Sequence, residues 1–173
     1  MEKKSQKGRY KKLEDRIKPV IGRVEKIELP GMGLINIDAK IDTGAYGNAI
    51  HCTYIEVIKK KDKEMIQVLP LYGSDEGFMG NPLIFPLIKR KRIKNSFGRE
   101  EERYIIKTPV IFMNREYMVE FSLTDRSKMR YPVLIGRKFL KGKFLVDCAK
   151  AYVGKKKSGK LKLKKLSDSE AND

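Results

Sequence analysis

Residues 34–41, Leu-Ile-Asn-Ile-Asp-Ala-Lys-Ile, constrain the fold of this chain more than any other stretch. The apolar side chains recur at every second position, which predicts an extended strand with Ile35, Ile37, Ala39 and Ile41 on one face. A strand that is apolar on one side needs a sheet to lie in and a core to cover. It runs without a break into Asp42-Thr43-Gly44-Ala45, so a carboxylate is expected where the strand turns into a tight loop. Further short strands are predicted over 65–71, 83–88, 103–108, 110–113, 117–123, 133–135 and 144–146. Turn signals separate them: Pro30-Gly31 with Gly33, and Asn114-Arg115-Glu116 as the bend of a hairpin. One short helix is predicted after Gly136, through Arg137-Lys138-Phe139-Leu140, ending at Gly142. Residues 59–91 include Gly73, Gly77, Gly80, Pro82 and Pro86 among apolar residues and read as an insertion with a long loop. Many short strands and a single short helix give an all-β barrel or sandwich.

With 173 residues the chain has room for one domain and a modest core. The division expected is a basic tail over 1–17, a domain over 18–153, and a basic tail over 154–173 that is either solvated or an edge strand. Each tail carries seven basic and three acidic side chains, so more than half of the net charge of +17 belongs to the domain. Such a field attracts polyanions: nucleic acid, a ribosomal surface or an acidic peptide. With 9% aromatics and no Trp, a base-stacking platform is a poor fit, and no recognisable RNA-binding module is present. Cys52 and Cys148 have no ligand-like spacing. The opening residues lack an apolar stretch and no run is long enough to span a bilayer, so the expectation is no secretory signal, no membrane and a reducing cytoplasm.

The chemistry centres on Asp42-Thr43-Gly44. Gly44 permits backbone geometry and close approach that a side chain would forbid, and the Thr43 hydroxyl can lock the loop. The motif alone is ordinary turn chemistry. Its context changes that. Some ninety residues on, Tyr131-Pro132-Val133-Leu134-Ile135-Gly136-Arg137 opens the short helix. Together with Asp42-Thr43-Gly44-Ala45 this resembles the retroviral aspartic proteases, where the second segment packs behind the catalytic loop. It is more similar still to the retropepsin-like family often labelled ATP-dependent zinc protease. The resemblance rests on Ile21-Gly22-Arg23, Lys40 to Ala45 with Ala49-Ile50-His51, Ser96-Phe97-Gly98 with Arg103, Thr124 to Met129 leading to Pro132 through Arg137, and Gly142 to Asp147.

The resemblance implies a closed, retropepsin-like β-barrel and an aspartic peptidase of peptide or protein substrates. Asp42, Thr43 and Gly44 form its catalytic loop, with Ala45 and His51 beside it. A flap spans 92–103 with its tip at Ser96, Phe97 and Gly98, and Arg103 and Arg126 contact substrate or pair internally. Ile135, Gly136 and Arg137 support the loop. Two carboxylates must face one water in this chemistry, so one motif per chain implies a homodimer. Some family members sit beside ligases that append glutamates, which implies acidic tails as substrate. Ala45 stands where many cellular aspartic proteases carry a hydroxyl; fewer donors stabilise the anion less, which favours activity nearer neutral pH. Tyr46 replaces the acidic residue that pairs with the arginine of the Gly-Arg motif in retroviral enzymes, so Arg137 needs another partner. Tyr46-Gly47-Asn48 also departs from the bacterial family, which bears on substrate preference. No cofactor is expected. Zinc catalysis needs about three protein ligands, and a chain with one His and no HExxH supplies them poorly; no phosphate-binding Gly-rich loop for ATP is present. The competing readings are a zinc-dependent peptidase and a non-catalytic basic adaptor on ribosome or RNA.

Overall fold

The computed structural model describes residues 18–71, 80–94 and 100–154. Eleven strands run in chain order: β1 (Val20–Ile21), β2 (Val24–Leu29), β3 (Leu34–Asp42), β4 (Asn48–Lys60), β5 (Lys63–Pro70), β6 (Leu83–Pro86), β7 (Lys89–Lys94), β8 (Glu100–Phe112), β9 (Arg115–Thr124), β10 (Val133–Gly136) and β11 (Leu145–Val146). One α-helix, α1 (Arg137–Leu140), and one 3-10 turn (Pro30–Met32) complete the described elements. The architecture is all-β, as the patterning requires.

Strands β10, β3, β2, β8, β9 and β4 lie side by side in that order, and β10 also pairs with β4, so the sheet closes on itself. Closure leaves the ring without a free edge and lets inward side chains fill the middle. Ile37, Ala39, Ile41, Ile50, Ile106, Phe121, Leu123, Val133 and Ile135 belong to one continuous buried cluster. Strand β3 departs from strict alternation at one point. Asn36 has φ 62°, and Ile27 pairs with Ile37 while Leu29 pairs with Leu34. Two residues of β3 therefore face one of β2, a bulge that swings Ile35 outward to 49% exposure and buries Leu34 instead. Ile35 was expected inside, and the left-handed Asn36 is the reason it is not.

In the region read as an insertion with a long loop, 59–91, the described residues are mostly strand, and 72–79 lie outside the described residues. Strand β4 continues beyond the barrel to Lys60, and Lys61 and Asp62, both at positive φ, turn it tightly into β5. Strand β6 pairs on the far side of β5, so the region builds a three-stranded arm and then β7. Two successive left-handed residues are what a two-residue hairpin demands, and the same device joins β8 to β9 at Met113 and Asn114. Strand β7 pairs with the first half of β8 from Lys89↔Ile105 to Lys94↔Glu100, the stem of the expected flap. Its tip, Ser96-Phe97-Gly98, lies outside the described residues, as do the N-terminal tail and residues 155–173.

Helix α1 is seated by aromatic packing. The Phe139 ring meets Phe112 and Tyr117 edge-on at centroid distances of 5.8 and 5.2 Å, and Phe144 meets Phe112 at 5.0 Å. Such pairs contribute about 0.5–1.5 kcal/mol each beyond area burial. They fix the helix start against the loop that follows β3. The C-terminal segment crosses the outer end of β2. Buried Glu25 holds it there, its carboxylate accepting backbone N–H bonds from Gly22 (2.6 Å), Val153 (3.0 Å) and Gly154 (3.1 Å).

Candidate active site

Asp42 ends β3, directly opposite Gly136 of β10 in parallel register. Beyond it the chain turns through Thr43 to Gly47 and returns as β4, and β10 fits between the two arms, parallel to β3 and antiparallel to β4. This threading fixes the loop. Asp42 Oδ1 accepts N–H bonds from Gly44 at 2.9 Å and Ala45 at 3.0 Å. Its other oxygen has no hydrogen bond to a described residue, and the flanking Thr43 and Gly44 are exposed. The carboxylate is thus oriented by one oxygen and presented by the other.

The underside of the loop is held by the segment that opens α1. The Arg137 and Lys138 backbone N–H groups bond the carbonyls of Ala45 (3.0 Å) and Tyr46 (2.9 Å). Arg137 Nη1 donates to the carbonyls of Thr43 (3.2 Å) and Gly44 (2.8 Å). Arg137 therefore grips loop backbone rather than a carboxylate, which answers the question posed by Tyr46. Buried Asn48 was read only as a departure from the family pattern; here it is a clamp. Its Oδ1 accepts the Gly136 N–H at 2.9 Å, its Nδ2 donates to the Glu120 carbonyl at 2.9 Å, and its own carbonyl accepts the Ser122 hydroxyl. Nothing in the sequence marks Asn48, because its partners are backbone atoms 72 and 88 residues away. Ile135 is fully buried in the core beneath the loop.

His51 lies on β4, not in the loop, and is buried. Its Nδ1 accepts the Arg126 backbone N–H at 2.8 Å, so that nitrogen carries no proton. The approach of Asp125 to the same nitrogen, 3.5 Å, is then not an ion pair. The geometry gives His51 the work of fixing the segment that carries Arg126. Burial pulls the Arg126 guanidinium below its usual pKa; nearby Arg103 pulls the same way, and Asp42 opposes both. The two arginines and the aspartate thus share one electrostatic neighbourhood although they come from β8, the β9–β10 connection and β3. Arg103 pairs with Glu101 at 3.1 Å, and Glu101 also takes the Thr124 hydroxyl. Arg103 Nε is buried and has no hydrogen-bond partner among the described residues. Tyr46 reaches the flap stem, with Lys91 Nζ 5.5 Å from its ring centroid.

Among the described residues no three His, Cys, Asp or Glu side chains group together as a metal would require. The described side chains of this chain therefore do not supply the ligand set of a catalytic zinc site. No helix among them is long and apolar enough to cross a membrane.

A closed β-barrel with one Asp-Thr-Gly loop clamped by a Gly-Arg helix start is the single-aspartate, retropepsin-like class of fold. The chain belongs to the RimB-like family, described as retropepsin-like aspartic endopeptidase RimB, whose family model matches residues 20–157. A Legionella pneumophila protein of unknown function shares the fold at a TM-score of 0.66 and 22% identity, over 79% of this chain and 98% of that one. A probable alpha-L-glutamate ligase of Desulfotalea psychrophila is 29% identical over 153 residues, which is 85% of this chain and 32% of the relative. A second, from Parasynechococcus marenigrum, is 30% identical over 132 residues, 75% of this chain and 28% of the relative. The chain therefore spans about a third of the length of these curated relatives.

Proposed function

We propose that this protein is an aspartic endopeptidase that works as a homodimer, with Asp42 of each protomer on the two-fold axis. The observation that carries the reading is the Asp42 carboxylate itself: one oxygen pinned by two backbone N–H groups, the other open at an exposed loop. A single carboxylate cannot serve as both acid and base in one step. Two brought face to face cannot both ionise easily, so they share one proton. The ionised one takes a proton from water as the water oxygen bonds to the scissile carbonyl carbon. The protonated one gives its proton to the carbonyl oxygen. The tetrahedral adduct then collapses, the C–N bond breaks, and the departing amine leaves with a proton from the dyad.

The substrate favoured is a peptide rich in glutamate. Arg103 and Arg126 in the electrostatic neighbourhood of Asp42 suit carboxylates through their planar forks. The relatives named probable alpha-L-glutamate ligases point to the same chemistry, because a module shared with a glutamate-joining enzyme has glutamate chains close at hand. The test is cleavage of peptides carrying oligoglutamate extensions, read by mass spectrometry with and without EDTA. Products that persist in EDTA and vanish in Asp42→Asn support the aspartic reading; products abolished by EDTA overturn it in favour of a metallopeptidase.

A further inference from the structure

On the outside of the barrel, where α1 packs against β9, a shallow groove of about 220 Å³ is lined by Lys107, Met118, Glu120, Lys138 and Lys143. Lys89 reaches into the same neighbourhood from the flap stem. Its Nζ lies 3.2 Å from Glu120 Oε2, and Lys138 Nζ lies 2.7 Å from the same oxygen. Two ammonium groups thus bridge one carboxylate, and the Lys138 hydrogen bond holds Glu120 below its ordinary pKa. Glu120 shows what this surface holds: a carboxylate bridged by two lysines. Lys107 and Lys143 add two more positive charges to the lining, Lys143 donating one hydrogen to the Phe139 carbonyl at 3.1 Å, and Met118, 57% exposed, offers an apolar rest for a side-chain stem.

The groove is joined to the candidate active site. Asn48, the clamp on Gly136, forms part of its wall. Lys138 donates its backbone N–H to Tyr46 of the catalytic loop, and Tyr46 in turn faces Lys91 of the flap stem. The groove thus adjoins the loop through Lys138, whose backbone is bonded to Tyr46 and whose side chain lines the groove. Its volume equals that of about seven water molecules, enough for a side chain or two of an extended peptide and too small for a folded element.

We infer that this groove is a second binding site that holds an acidic stretch of the peptide substrate away from the bond being cut. The inference rests on the peptidase reading only for the fate of the peptide; binding itself does not need catalysis. Peptide is favoured over nucleic acid because the groove adjoins the Asp42 loop and its one aromatic lining residue, Phe139, is buried with Lys143 over its ring, leaving no open face for a base to stack on.

The test uses the full chain carrying Asp42→Asn, which removes turnover, and a fluorescein-labelled peptide of ten L-glutamates, followed by anisotropy. Adding Lys107→Ser with Lys143→Ser is expected to weaken binding about fivefold, from the modest yield of exposed ion pairs. Lys107→Arg with Lys143→Arg, which keeps the charge and guards against a folding artefact, should restore it. In cleavage by the wild type, the Ser pair should raise KM for a long acidic peptide and leave a short one sharing its cleavage site unchanged. Equal binding by the Ser pair and its parent overturns the inference, as does a labelled oligoribonucleotide that depends on these lysines when the glutamate peptide does not. Lysine-dependent peptide binding by a protein that cleaves nothing keeps the groove and sinks the peptidase reading instead.

Discussion

Replacing Gly136 by Ala probes the coupling between the β10 strand and the Asp42 loop. An added Cβ would lie 2.2 Å from the Gly47 carbonyl oxygen, 2.8 Å from the Gly47 carbonyl carbon and 3.0 Å from the Ala45 oxygen. Ordinary contact begins at 3.4 Å, so the Gly47 carbonyl must retreat by the difference between 3.4 and 2.2, about 1.2 Å. β10 cannot yield instead, because it is paired on both sides. Retreat of the loop stretches the bonds from Arg137 N to Ala45 O and from Lys138 N to Tyr46 O. Overpacking costs about 1–3 kcal/mol and each of the two weakened bonds about 1 kcal/mol, for a sum of about 3–5 kcal/mol. In a chain of this size that lowers Tm by roughly 5–15 °C. A reacting group displaced by about 1 Å loses on the order of a hundredfold in rate, so peptide cleavage should fall further than stability alone explains. Gly47→Ala is the control, since nothing lies within 4 Å of a Cβ there and its Tm should barely move. Differential scanning calorimetry and a cleavage assay on both variants settle the matter. A Gly136→Ala protein that melts within about 2 °C of wild type and cleaves as fast would refute the packing argument.

Glu25→Ala removes the acceptor of three backbone N–H groups and should cost about 3 kcal/mol; hydrogen exchange should rise selectively in the peptide spanning 147–154, and unchanged protection there would count against the clasp. Burial pushes the Cys52 thiol up to about 12, whereas Cys148 is exposed; a thiol reagent at pH 8 should modify one cysteine per native chain and the second only on unfolding, and rapid modification of both would contradict the assigned burial. Glu120 is held low chiefly by its hydrogen bond from Lys138. Its contribution to stability is present above the ordinary glutamate range and is lost as pH falls through the lowered value. A carbon-detected titration should give a midpoint below about 4.3 that rises in Lys138→Ala; a midpoint at or above that value would count against the bridge.

The barrel was legible where side chains carried the pattern. Residues 37, 39 and 41 alternate and are buried, the α1 stop-start at Gly136 and Gly142 was visible, and the Asp42 loop and the Gly136-Arg137 segment could be recognised from their residues. What escaped was set by backbone and by geometry at a distance. Residues 48–52 of β4 are all buried, so they show no alternation, and the strand then leaves the barrel as part of the arm, where its outer residues face solvent. Glu25 is a charged residue that is buried because the N–H groups of Gly22 and, 128 and 129 residues away, of Val153 and Gly154 converge on it. Ile35 was misplaced by a single left-handed asparagine. Arg137 and Asn48 satisfy themselves on carbonyl and amide groups, which leave no trace in residue identity.

The central claim is that each active site needs Asp42 from two protomers. It can be tested by co-expressing differently tagged wild-type and Asp42→Asn chains at equal levels, allowing free subunit exchange, and measuring cleavage per total protein. If a site requires both carboxylates, only wild-type pairs are active, and the mixture should retain about a quarter of the wild-type rate. Retention of about a half, the value for chains that act independently, would contradict the account.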